Sequence, residues 1–143
     1  MPNDDRSGTN LESTRMDDRR FLDEFRENLS ESTVRAKWIG STNEREERPG
    51  QTLATRNHDV IKRWVGDRNG NPATVPGTEH DGRPGVLRFD FPGNGGKGLQ
   101  HISWDRWFET FDTRNLVFVY QEHKSDGHQS NFFHFDRPYR EHQ

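Results

Sequence analysis

Apolar residues recur at helical spacing in two segments of the second half of the chain. In residues 55–72 the spaced residues are Val60, Ile61, Trp64 and Val65, with Asn57 as a candidate N-cap. In residues 103–112 they are Trp104, Trp107, Phe108 and Phe111, with Ser103 as a candidate N-cap. This spacing places the apolar side chains on one face of a helix, so the pattern predicts two amphipathic helices.

Other segments have the pattern of β-strands. Residues 86–91 alternate, with Leu87 and Phe89 on one face and Arg88 on the other, which is typical of a half-buried strand. Residues 116–120 form a continuous apolar run and predict a central strand that is covered on both faces. Residues 73–75 and 130–136 are further candidates. Asp126-Gly127 predicts a hairpin turn before the last of them.

The order of these elements is α-β-β-α-β-β, which predicts a compact α+β domain over residues 55–143. We expect two helices to pack on one face of a mainly antiparallel four-stranded sheet. The apolar faces of the elements supply the predicted core: Trp64, Leu87, Phe89, Trp104, Trp107, Phe108, Phe111, Val117 and Val119.

Residues 1–54 read as a polar extension that is partly disordered. One amphipathic helix is predicted near residues 15–29, where Phe21, Leu22, Phe25 and Leu29 form a single apolar stripe. The charged stretch 41–52, which contains Pro49 and Gly50, reads as a linker. The domain boundary is therefore predicted near residue 54.

The composition supports one compact domain with a disordered segment. Of 143 residues, 27% are hydrophobic and 31% are charged, which is poor in apolar residues for a fully folded globule. There is no cysteine, no run of eighteen apolar residues and no apolar stretch typical of a signal peptide at the amino terminus. These features predict a soluble cytoplasmic protein without membrane association.

The charge balance gives no electrostatic case for nucleic acid. Residues 1–54 hold 12 acidic and 9 basic side chains, a net charge of −3, and residues 55–143 hold 12 of each. Nucleic-acid binding usually needs a basic face, which counting alone neither shows nor excludes. Arg63, Arg68, Arg83 and Arg88 are the residues that would form one.

The histidines are the first candidates for site chemistry. His123 and His128 flank the predicted hairpin turn and His134 lies on the returning strand, so a zinc site is conceivable there. We expect no metal, because the turn is exposed and a metal needs three or four ligands in fixed geometry. No phosphate-binding loop or catalytic signature is present, and we expect no cofactor.

One face of the predicted sheet is the candidate binding surface. Phe132 and His134 share a face in the last strand, and Arg88 faces away from Leu87 and Phe89, so the three are the candidate binding residues. The alternative is that the amino-terminal region covers this face, through Phe21, Phe25 and Trp38.

Six segments follow one another from residue 55 onward: HDVIKRW, NPATVPGT, GVLRFDFPG, ISWDRWFETFD, NLVFVYQE and SNFF. They resemble a small prokaryotic family of unknown function, over roughly residues 55–136, and residues 1–54 take no part in the resemblance. Members are often labelled "1,4-alpha-glucan branching enzyme". The resemblance therefore implies a carbohydrate-active protein as one hypothesis, and it implies no catalytic residue.

A non-enzymatic protein-binding or adaptor module is the leading hypothesis, because no catalytic constellation is present. Branching enzymes use a (β/α)8 barrel of about 250 residues, which this chain is too short to form. Nucleic-acid binding and a carbohydrate-active role stay open as alternatives. We expect a protein partner, and the sequence does not predict the oligomeric state.

Overall fold

The structure is a computed structural model that describes residues 18–93 and 98–138. Helix α1 covers residues 18–25 and is followed by a 3₁₀ turn at Arg26–Asn28. The other helices are α2 (Glu31–Arg35), α3 (His58–Asp67) and α4 (Trp104–Thr113). The strands are β1 (Lys37–Trp38), β2 (Leu53–Thr55), β3 (Asn71–Thr74), β4 (Leu87–Asp90), β5 (Gln100–His101), β6 (Val117–Tyr120) and β7 (Phe133–Asp136).

The predicted α+β class is confirmed, and both predicted N-caps form. Asn57 Oδ1 accepts from the backbone N–H of Val60 at 3.0 Å, and Ser103 Oγ accepts from the backbone N–H of Arg106 at 3.1 Å. Residues 1–17, where the predicted extension begins, and with them the start of the helix predicted near 15–29, lie outside the described residues. In the described part of the chain, no helix is long and apolar enough to cross a membrane.

The chain folds as two compact units. The four-strand unit contains the residues up to Ile61 and those from Leu116 onward, and the three-strand unit contains Lys62–Asn115. The division between them falls inside helix α3.

The sheet of the four-strand unit has the order β1-β2-β6-β7. β1 pairs with β2 in parallel, and β6 pairs antiparallel with β2 on one side and with β7 on the other. All four residues of β6 are buried, which confirms the prediction of an interior strand. One face carries Ala54, Val117 and Val119, which form a core cluster with three residues from the amino-terminal region: Phe21, Phe25 and Leu29.

The three-strand unit contains a sheet of order β4-β3-β5 and helix α4. The ring of Trp107 on α4 stacks on Phe89 of β4 at 5.0 Å between centroids. It also stacks on Phe111, one turn along the helix, at 5.4 Å, and its indole N–H donates to the backbone oxygen of Arg88 at 3.2 Å. Aromatic packing of α4 against β4 is therefore the core of this unit.

The predicted single sheet is not confirmed. Residues 73–75 and 86–91 were expected to share a sheet with 116–120 and 130–136, but they lie in a different sheet. β3 pairs with β4 and β5, whereas β6 pairs with β7 and β2, and β2 pairs with β1. The three strands that were not predicted, β1, β2 and β5, lack a strand pattern in the sequence. β5 has only two residues, both exposed, and β2 is three residues that follow the charged stretch 41–52.

The boundary predicted near residue 54 falls inside β2, where Leu53, Ala54 and Thr55 pair with β6. Part of the presumed extension therefore belongs to the buried structure of the four-strand unit. Of the predicted core residues, Trp104 is only half-buried, and the others are buried: Trp64, Leu87, Phe89, Trp107, Phe108, Phe111, Val117 and Val119.

Candidate functional site

The three candidate binding residues lie in different units. Arg88 is exposed on β4 of the three-strand unit, whereas His134 lies on β7 of the four-strand unit and Phe132 immediately precedes that strand. The rings of Phe132 and His134 contact each other edge to face, with centroids 5.7 Å apart. The structure therefore brings Phe132 and His134 together as one aromatic pair.

The side chain of Phe132 is 47% exposed. Among the described residues, it is the large hydrophobic side chain that remains open to solvent. His134 pairs with Val119 of β6, so its side chain lies on the face of the sheet that carries the core cluster. Phe21 and Phe25 cover the centre of that face and Trp38 packs beside them, as the alternative interpretation expects. Phe132 nevertheless remains open to solvent, because it precedes β7 at the edge of the sheet.

A chain of hydrogen bonds fixes the backbone at Phe132. The backbone N–H of Phe132 donates to Ser130 Oγ at 3.1 Å, and Ser130 Oγ–H donates to Gln121 Oε1 at 2.9 Å. Gln121 Nε2 in turn donates to the backbone oxygen of Gly50 at 3.1 Å. The backbone N–H of Gln121 also donates to the oxygen of Phe132 at 3.3 Å. The exposed ring is thus carried by a well-anchored piece of chain.

The other end of β7 is tied to the start of α2. Asp136 Oδ2 accepts from the backbone N–H of Ser30 at 3.0 Å and from its hydroxyl at 3.1 Å. Burial by itself raises the pKa of Asp136, but hydrogen bonds from Thr33 and Ser30 outweigh it and hold the pKa below its ordinary value. The ionised carboxylate therefore stabilises this contact.

The histidines considered for metal binding have separate partners. His123 Nδ1 lies 2.5 Å from Glu46 Oε2, His128 Nδ1 lies 3.1 Å from Asp126 Oδ1, and His134 contacts Phe132. Within residues 18–93 and 98–138, no group of three or more His, Asp or Glu side chains could hold a metal ion.

The hairpin turn forms at the predicted place. Gly127 has a φ of 93°, and its N–H donates to the oxygen of Lys124 at 2.8 Å. Such a turn with a left-handed glycine is common in hairpins. The backbone N–H of His128 donates to Asp126 and holds the pKa of that carboxyl below its ordinary value.

Sequence reasoning missed the contact between Glu46 and His123. Glu46 belongs to the stretch read as a linker, yet its side chain is 15% exposed and its Oε1 is buried without a hydrogen-bond partner among the described residues. The backbone N–H of Gly50 also donates to the oxygen of His123, at 2.9 Å. The stretch 41–52 is therefore bound to the hairpin, and no local signal in a run of charged residues reveals such a distant partner.

Arg68, one of the four arginines considered for nucleic-acid binding, is packed in the interior of the three-strand unit. It is buried, its Nη1 donates to the backbone oxygen of Trp64 at 2.9 Å, and its guanidinium lies 4.1 Å from the centroid of the Trp64 ring. A buried guanidinium does not contact a phosphate backbone, so Arg68 does not belong to a nucleic-acid surface.

Comparison of the chain with models of protein families, with curated protein sequences and with solved structures gave no match. The resemblance to the family labelled as branching enzymes therefore remains a prediction.

Proposed function

We propose that this chain is a non-enzymatic protein-binding module and that Phe132 is its anchor residue. The exposure of the Phe132 ring carries the proposal, because aromatic residues are enriched in protein interfaces and this large aromatic ring is open to solvent in the described part of the chain. Aromatic anchors at the centre of protein interfaces supply much of the binding free energy.

The fixed backbone supports this role. Binding costs conformational entropy, and that cost is smaller when the anchor is held in place before the partner arrives. The hydrogen bonds through Ser130 and Gln121 hold Phe132 in this way. A rigid aromatic residue with few rotatable bonds is the type of anchor that binding loops favour.

The surroundings of Phe132 indicate the chemistry of the partner. The ring lies against the imidazole of His134, and neither residue of this pair is a lysine or an arginine. We therefore expect a peptide segment that places an apolar side chain on the Phe132 ring. Contact of this kind depends weakly on salt, whereas binding to nucleic acid weakens steeply as salt rises.

Selection from a library of random linear peptides displayed on phage tests the proposal. Peptides are selected on the immobilised protein, synthesised with a fluorescent label and titrated by anisotropy. We expect Phe132→Asp to weaken binding about tenfold or more, because it removes the apolar contact and adds a charge that must be desolvated. Phe132→Leu should retain most of the affinity.

Asn131→Asp is the matched control, because it adds the same charge at the adjacent exposed position. It should leave the affinity unchanged, with the peptide bound equally well at low and high salt. Selected peptides that bind the Phe132→Asp protein as tightly as the unaltered protein contradict the proposal. Sedimentation that shows a dimer lost in Phe132→Asp would instead assign the ring to self-association.

A further inference from the structure

The three-strand unit contains a cleft between helix α4 and the loop of residues 76–85. Its volume is about 260 Å³, just below the roughly 300–1,000 Å³ of most small-molecule sites. Its lining includes His80, Asp81, Arg83, Glu109, Thr113 and Arg114. It lies within a different unit from Phe132, so a ligand site in this cleft is independent of the proposed protein-binding role.

The loop side of the cleft is a tight turn. His80 and Arg83 exchange backbone hydrogen bonds of 3.0 and 2.9 Å, and the two residues between them have φ angles of 53° (Asp81) and 77° (Gly82). Two consecutive positive φ angles are the mark of a type I′ turn. The turn fixes the direction in which the side chains of His80 and Arg83 leave the backbone.

Two arginines of the α4 segment hold this loop in place. Arg106 Nη2 donates to the oxygen of Gly82 at 2.8 Å, while the Arg114 guanidinium donates to the oxygens of Pro84 and Gly85. A Cβ atom at Gly85 would lie 1.8 Å from the oxygen of Thr78, so only glycine allows this close packing. The cleft is therefore formed before any ligand binds.

Of these two arginines, Arg114 also lines the cleft, but its guanidinium is engaged with the carbonyl oxygens of the loop. The other charged groups of the lining are not engaged in this way. The guanidinium of Arg83 and the carboxylates of Asp81 and Glu109 make no ion pair or hydrogen bond within the described residues, although opposite charges line the same cleft. An anion alone would meet two carboxylates, and a cation alone would meet the guanidinium. A ligand that carries both charges satisfies each group.

We propose that this cleft binds a small zwitterion with an ammonium group and a carboxylate. The ligand carboxylate binds the Arg83 guanidinium, whose planar pair of N–H donors matches a carboxylate. The ammonium group binds Asp81 and Glu109, and the hydroxyl of Thr113 is available to a further polar atom. The volume has room for a ligand of the size of a free amino acid.

Titration of the full chain with three zwitterions tests the proposal by NMR. Glycine, 4-aminobutyrate and 6-aminohexanoate cover short to long separations between the two charges. Butyrate and butylamine serve as controls that match 4-aminobutyrate in size but carry one charge each. We expect at least one zwitterion to shift the amide signals of residues 80–85 and 109–114, and both controls to bind about tenfold more weakly or not at all.

Charge-neutral variants complete the test. Arg83→Gln and Glu109→Gln should each weaken binding of that zwitterion about tenfold, the effect of losing one hydrogen bond to a charged group. Lys62→Gln and Asp67→Asn remove charges of the same signs from exposed residues of the same unit outside the cleft and should leave the affinity unchanged. The proposal is overturned if no zwitterion shifts these signals at millimolar concentration, if a one-charge control binds equally well, or if the Arg83 and Glu109 variants bind like the controls.

Discussion

The two units of this chain are built in different ways. The three-strand unit comes from one continuous stretch, and its core forms between neighbours in sequence, with Trp107 of α4 stacked on Phe89 of β4. The four-strand unit comes from two stretches that the other unit separates, and its central pairing joins β2 to β6. Residues from the stretch 18–54 therefore contribute to the core of the four-strand unit, as the aromatic helix contributes to the core of the other unit.

Removal of residues 1–54 is the largest test of this comparison. The truncation deletes β1, most of β2 and the cluster partners of Val117 and Val119, which are Phe21, Phe25 and Leu29. Each large apolar side chain contributes roughly 1.5–3 kcal/mol when fully buried, and a whole domain is stable by only about 5–15 kcal/mol. We expect the NMR signals of residues 116–138 to lose their dispersion. Native-like signals for Val117 and Val119 in the truncated chain would contradict the assignment of these residues to one unit.

Replacement of Trp107 by alanine is the corresponding test of the three-strand unit. Trp107 is fully buried, and its loss leaves a cavity beside Phe89 and Phe111 and removes the hydrogen bond to the backbone oxygen of Arg88. We expect a loss of about 3–5 kcal/mol in the free energy of unfolding, measured by chemical denaturation. Trp104→Ala is the control, because Trp104 is half-buried and should cost less. Equal losses for the two variants would show that burial does not decide the role of each tryptophan.

The local pattern was sufficient to predict most of the three-strand unit. The spacing of the aromatic residues predicted α4, and alternation predicted β4 with Leu87 and Phe89 inside and Arg88 outside. The pattern could not identify strand partners, because pairing joins backbone groups and leaves little trace in side chains. β5 and β2 were missed for this reason, and the four-strand unit could not be assembled from sequence.

The candidate site, too, could be predicted only in part from the sequence. Phe132 and His134 could be placed on one face because strand residues alternate, and their rings do contact each other. The supports of Phe132 could not be predicted, since Ser130, Gln121 and Gly50 meet only in the folded chain. Nor does the sequence indicate that a loop such as 76–85 encloses a cleft with α4.

The contact between Asp136 and the start of α2 gives a smaller, pH-dependent test of the four-strand unit. Because the folded-state pKa of Asp136 is lowered, its contribution is present at neutral pH and is lost as the pH falls through that pKa. We expect Asp136→Asn to lower the free energy of unfolding by about 1 kcal/mol at neutral pH.

The difference between the Asp136→Asn protein and the unaltered protein should shrink as the pH falls below the ordinary range for aspartate. Denaturation curves at a series of pH values measure it. Asp23→Asn, at an exposed position of α1, should show no such change. A difference for Asp136→Asn that stays constant down to acidic pH would mean that the ionised carboxylate does not stabilise the contact.

The most direct test of the protein-binding role maps the peptide onto the two units. A labelled peptide selected on the protein is titrated into the isotope-labelled full chain, and the amide signals are followed by NMR. We expect the amide signals of Phe132, His134 and Ser130 to shift and those of residues 62–115 to stay unchanged. Shifts confined to residues 62–115, or the same shifts in the Phe132→Asp protein, would contradict it.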